Sequence, residues 1–138
     1  MIIMSIDLGS VRTGIAVSDI NQSFAFPRCV INERNKEILI QKILSEAKQS
    51  GAERLVVGLP KNMDGSVGFK AEECIKTAEL LNEKFEGEVV MWDERCTTVS
   101  AHNALNVTNT RGKKRKAVVD AVAATMILED YLMFLKNS

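Results

Sequence analysis

With one histidine, three cysteines and no CxxC pair, the chain lacks the donors of a zinc site, and an odd cysteine count argues against a disulfide framework. Cys29, Cys74 and Cys96 therefore read as reduced thiols. An excess of one charge is missing too. The 18 basic and 18 acidic side chains cancel, so no global field draws the protein onto a polyanion, and any such attraction must come from local clusters. No apolar run approaches the roughly 18 residues of a membrane span. The opening MIIMSIDLGS has no basic leader and meets Asp7 too soon for a signal sequence. These absences point to a soluble, cytoplasmic protein without membrane partners. At 138 residues, 46% hydrophobic and 26% charged, the chain suffices for a single compact domain over 1–138.

What is present reads as α/β. Ile2 to Leu8 and Gly14 to Ile20 are apolar, β-branched runs around a tight turn at Gly9-Ser10, the pattern of a hairpin. Phe24 to Asn32 adds a third strand, and Pro27 inside it removes a ladder donor, so this strand belongs at an edge. Ile38, Leu39, Ile43, Leu44 and Ala47 recur at helical spacing from Lys36 to Ser50, with Gly51 at the C-cap position. The run from Arg54 to Leu59, stopped by Pro60, predicts a strand buried on both faces. A helix over 69–85 and a strand from Glu88 to Trp92 follow. Thr97 and Thr98 are candidate N-caps of a helix to Leu105; a polar, basic connection runs from Asn106 to Lys116; the last helix spans roughly 117–135. The sum is a mixed five-stranded sheet, three antiparallel strands then parallel ones, with helices on both faces.

In such sheets reactive groups gather just past the carboxyl ends of the parallel strands. Asp7, the loop from Asn62 to Gly68, and Asp93-Glu94-Arg95 occupy those places. Asp7 closes an almost wholly apolar strand, where a buried carboxylate without a partner or cation costs several kcal/mol. Taken alone it also fits a turn-forming aspartate or an ion pair with Arg12. Of Asp93 and Glu94, strand alternation lets only one share a face with Asp7; Glu94 is preferred, though the pattern alone does not decide. Asp120 near the start of the last helix fits a helix-dipole role. Ala123 and Ala124, three and four residues on, instead put it on a closely packed face. Three carboxylates without His or Cys suit Mg²⁺ or Mn²⁺, and a pair of such ions serves phosphodiester hydrolysis. Beside Asp120, the cations Arg111, Lys113, Lys114, Arg115 and Lys116 fall within six positions. They read as a mobile, self-repelling segment that orders when it grips a phosphate backbone.

IDLGSVRTGIAVSD (6–19), VVGLPKNMDGSVG (56–68), WDERCTT (92–98) and KKRKAVVDAVAATMIL (113–128) together resemble the YqgF/RuvX family, described both as Holliday junction resolvases and as pre-16S rRNA nucleases. Four ordered motifs over most of a short chain make a specific signal, where DxG alone would be weak. The resemblance implies an RNase H-like fold, with Asp7, Glu94 and Asp120 as catalytic, metal-binding carboxylates. It implies a nucleic-acid substrate, an rRNA precursor in preference to branched DNA, with pre-ribosomal particles as further partners. Arg12, Asn62 and Arg95 join the basic cluster as candidate nucleic-acid contacts, and the chain is expected to act as a monomer or homodimer. Val11 replaces one residue of a basic pair frequent in the family, and Cys96 replaces a larger apolar residue. Rival readings are a four-way junction resolvase, a non-catalytic RNA-binding assembly factor, and a fragment of the actin-like ATPase fold. That last needs two such domains.

Overall fold

The computed structural model describes residues 1–9, 11–59, 68–93 and 112–137, with 112–121 given as helix backbone alone. Its strands are β1 (Ile2–Asp7), β2 (Arg12–Ser18), β3 (Ala25–Asn32), β4 (Ala52–Leu59) and β5 (Glu88–Asp93). The helices are α1 (Lys36–Ser50), α2 (Phe69–Lys84) and α3 (Gly112–Lys136). The sheet order is β3-β2-β1-β4-β5. β2 pairs antiparallel with β1 and β3, while β4 pairs parallel with β1 and β5. The mixed five-stranded sheet expected from the sequence is thus observed, with β3 and its Pro27 at an edge. The register slips by one residue around Arg28 on β3, where Ile15 faces Cys29 and Ala16 faces Pro27.

Central position follows from composition. Ile3, Met4, Ser5 and Ile6 of β1 are all fully buried, because helices cover both faces of the strand. Met4, Ile6 and Leu8 meet Leu55, Val57 and Leu59 beneath α1 and α2, whose Ile43, Cys74, Ala78 and Leu81 close that side. Ile3, Ala16 and Val56 point the other way, into a second cluster with Ala124, Ile127, Leu128 and Tyr131 of α3. The sheet therefore separates two cores. Asp7 follows Ile3 and Ser5 in alternation and belongs to the α3 side.

Turn chemistry fixes the ends. A side chain on Gly9 would place its Cβ 2.2 Å from the Arg12 carbonyl oxygen, so only glycine lets β1 reverse this tightly into β2. Gly51 ends α1 at φ 77°, and its N–H bonds the Ala47 and Lys48 carbonyls, as the C-cap reading expects. Asn35 caps the other end by accepting from the Ile38 N–H at 3.1 Å. Replacing it with alanine should cost about 0.5–2 kcal/mol in urea unfolding.

Two expectations change. β2 begins at Arg12 and β4 at Ala52, each two residues before the predicted start. The last helix begins at Gly112 and takes in Lys113 to Lys116, which the sequence reading set outside it as a mobile lead-in. The physical reason is intrinsic preference: lysine and arginine are strong helix formers, and a helix fans successive cations about 100° apart. The helix predicted from Thr97 to Leu105 lies outside the described residues. Among the described residues no helix is long and apolar enough to cross a membrane.

Candidate active site at the carboxyl edge of the sheet

Asp7 is half-buried at the carboxyl end of β1 and pairs with Gly14 of β2. Ser5 pairs with Val56 and Ile6 with Val57, so the same register puts Gly58 beside Asp7 on β4. The positions paired with Asp7 on both flanking strands are glycines, which add no side chain of their own to that face. Arg12 shares parity with Gly14 and Ala16 along β2, which sets it on the Asp7 face one strand away.

α3 lies over this face, and its height is set by one buried bond. The Ser5 hydroxyl donates to the Ala124 carbonyl oxygen at 2.6 Å. Lower down, an Arg54 guanidinium N–H meets the Tyr131 hydroxyl at 3.0 Å, and Arg54 pairs with Ile3 at the start of β1. α3 therefore descends as β1 rises. From Ser5 to Asp7 the strand climbs about 6.7 Å. From Ala124 back to Asp120 the helix climbs about 6 Å. The helical turn that carries Asp120 thus stands level with Asp7. Ala124, Ile127, Leu128 and Tyr131 form the stripe of α3 that faces the sheet.

β5 contributes through its pleat. Val89 and Met91 pack with the α1/α2 core, whereas Val90 and Trp92 pack with the α3 core. Asp93, next in order, takes the α1/α2 side, opposite to Asp7. Trp92 is edge-on to Tyr131, with ring centroids 5.6 Å apart, and closes the α3 side next to Gly58.

Of the predicted site residues, Asp7 and Arg12 are described with their side chains. Glu94, Asn62, Arg95 and Arg111 lie outside the described residues. Asp120, Lys113, Lys114, Arg115 and Lys116 are placed as helix backbone. Among the described residues no three His, Cys, Asp or Glu side chains stand together. What the fold brings to one corner is the Asp7 carboxylate, the Asp120 turn of α3 and the end of β5. An oxygen-only donor set beside a glycine-lined floor fits a hard divalent cation such as Mg²⁺ or Mn²⁺. Sequence reasoning missed Ser5. Its signal was available: a hydroxyl within an otherwise apolar strand, two positions before the carboxylate.

The family described as "RuvX: Holliday junction resolvase" matches residues 1–133. Proteins named "Putative pre-16S rRNA nuclease" are similar along their full lengths. The one from Caldanaerobacter subterraneus is 40% identical over all of both chains. That of Clostridium beijerinckii is 40% identical over 96% of each. Among solved structures, Thermus thermophilus RuvC in complex with a Holliday junction substrate superposes with a TM-score of 0.61 at 13% identity, over 97% of this chain and 96% of that one. The fowlpox virus resolvase in its complex with junction DNA gives 0.60 at 12%, over 98% and 99%. At such identities these two likenesses establish a shared fold, that of RuvC-like, RNase H-type resolvases.

Proposed function

Because the chain belongs to the RuvX family of Holliday junction resolvases, we propose that it is a metal-dependent endonuclease, one nuclease domain over 1–138, that trims the 5′ end of pre-16S rRNA. The observation that carries this reading is the levelling of Asp7 with the Asp120 turn of α3, on the sheet face that the end of β5 also borders. Asp7, Asp120 and Glu94 are assigned as ligands of two Mg²⁺ or Mn²⁺ ions. When bound, such ions supply a polarised phosphate and an activated water for in-line hydrolysis. The chain's own part is to hold three carboxylates at one corner, to leave the glycine floor open for the phosphate, and to wall the side with Trp92. Arg12, on the Asp7 face, is assigned to a substrate phosphate, as are Asn62, Arg95 and Arg111.

Purified protein with Mn²⁺ or Mg²⁺ should cut a structured rRNA precursor faster than a four-way DNA junction. Faster cutting of the junction, with two symmetric nicks, would give the chain the activity in its family's description instead. No cutting of either substrate sinks the enzyme reading.

Two further outcomes follow from the placement of α3. Ser5→Ala removes the bond that sets the helix height; it should lower stability by about 0.5–1.5 kcal/mol. Cleavage should fall by a larger factor than that loss explains, together with a higher Mn²⁺ requirement. An unchanged metal requirement would mean Ser5 serves packing alone. Lys113 and Lys114, on the first turn of α3, are assigned to the phosphate backbone. Replacing both with alanine should flatten the dependence of log affinity on log salt by roughly 0.7 per lost contact for a single strand. An unchanged slope would mean that the strand is held elsewhere.

A further inference from the structure

On the face of the sheet opposite Asp7, the carboxyl edge opens into a cavity of about 550 Å³ between the start of α1 and the start of α2. Leu8 and Gly9, which follow Asp7 directly, form its inner wall, and Phe69 its outer one. Phe69 is 79% exposed, the most exposed large apolar side chain among the described residues. Its neighbours are unevenly charged. Glu73 is held by Lys36 and Glu33 by Lys42, and these ion pairs keep both carboxyls below the usual carboxylate range. The side chains of Arg34 and Lys70, exposed on the two sides of the opening, make no hydrogen bond or ion pair among the described residues.

We propose that this cavity is a subsite for single-stranded nucleic acid, in which Phe69 stacks on an unpaired base while Arg34 and Lys70 take the adjoining phosphates. Charge and shape commit the occupant. The two acidic residues of the opening are already neutralised, so the unspent charge is positive and suits a polyanion. An exposed ring flanked by cations is how proteins hold single strands, because every base offers a flat face to stack on. A duplex seals those faces inside its own stack and offers Phe69 nothing comparable. Continuity with the candidate site fixes the geometry. A strand leaving Asp7 passes the Gly9 turn and reaches the cavity over the rim of the sheet, so the enzyme would take substrates with an unpaired tail beside the scissile bond.

The inference uses the nuclease reading only to say which strand is held, and binding can be read without cleavage. The probe is a fluorescently labelled oligouridylate titrated against the protein in EDTA, beside an RNA duplex of equal length. Phe69→Ala should weaken binding of the single strand by about five- to a hundredfold and leave the duplex nearly unchanged, since one stacked base contributes on that scale. Phe69→Trp should bind as well as wild type, with its added indole emission quenched on binding. Arg34→Ala with Lys70→Ala should reduce the salt slope for the single strand by roughly 0.7 per lost contact. All of these sites are exposed, so melting temperatures should hold. Wild-type affinity of Phe69→Ala for the single strand overturns the subsite, and so does an equal loss for single strand and duplex. Repeating the Phe69→Ala comparison in an Asp7→Asn background separates the two ideas: the loss due to Phe69→Ala should be the same there whether or not Asp7 proves catalytic, and its disappearance would overturn the subsite.

Discussion

Asp7→Asn is expected to abolish cleavage while the protein stays folded. The substitution preserves shape and one acceptor oxygen but removes the negative charge that would bind a hard cation. Changing a group that merely orients a metal ligand already lowers affinity or activity by about 10–100-fold, so loss of a ligand should exceed about a hundredfold. The stability effect should depend on metal. Without ions, the carboxylates assigned to one corner repel, and neutralising one of them leaves stability unchanged or slightly raised. With Mn²⁺ at a hundred times its dissociation constant, wild type should gain about 2.7 kcal/mol, and Asp7→Asn should gain far less. Thermal melting with and without Mn²⁺, beside a cleavage assay, checks both halves. Wild-type cutting by Asp7→Asn ends the assignment of Asp7. Loss of cutting accompanied by unfolding of the apo protein would show a structural role.

The sheet was legible because its signals are local. Pro27 marked an edge strand, Gly9 a reversal and Gly51 a helix end, and each is a backbone property that one residue determines. Asp7 was legible as the polar stop of an apolar run. The relation of α3 to β1 was not, because it rests on a bond between residues 119 apart in sequence. Nor was the cavity at Phe69, which needs the starts of α1 and α2 to stand apart beside Leu8 and Gly9. The basic run misled for the opposite reason. Its charge density suggested a solvated loop, while the backbone preference of lysine and arginine favoured helix and prevailed.

Glu94→Gln should reduce cleavage by more than about a hundredfold, whereas Asp93→Asn should change it by a few-fold at most. The two carboxylates are neighbours at the end of β5, and only the pleat distinguishes them. Val90 and Trp92 enter the α3 core while Val89 and Met91 enter the other, so the alternation is unbroken up to Asp93, which falls on the side away from Asp7. Glu94 lies outside the described residues, and its assignment to the face that Asp7 ends on belongs to the proposed function, which takes the alternation to continue one residue further. Glu94→Gln deletes one charge at nearly constant volume, so a large loss would reflect ligand chemistry and not packing. Asp93→Asn makes the same chemical change on the face where neither Asp7 nor α3 lies. Comparing the rates of both variants at saturating Mn²⁺, and again with Mn²⁺ limiting, decides the matter. A reversed order would mean that the strand breaks its pleat at residue 94, as a β-bulge would do, and turns Asp93 toward the metal instead. Equal, small effects would remove β5 from the site and leave Asp7 and Asp120 to hold the ions without it.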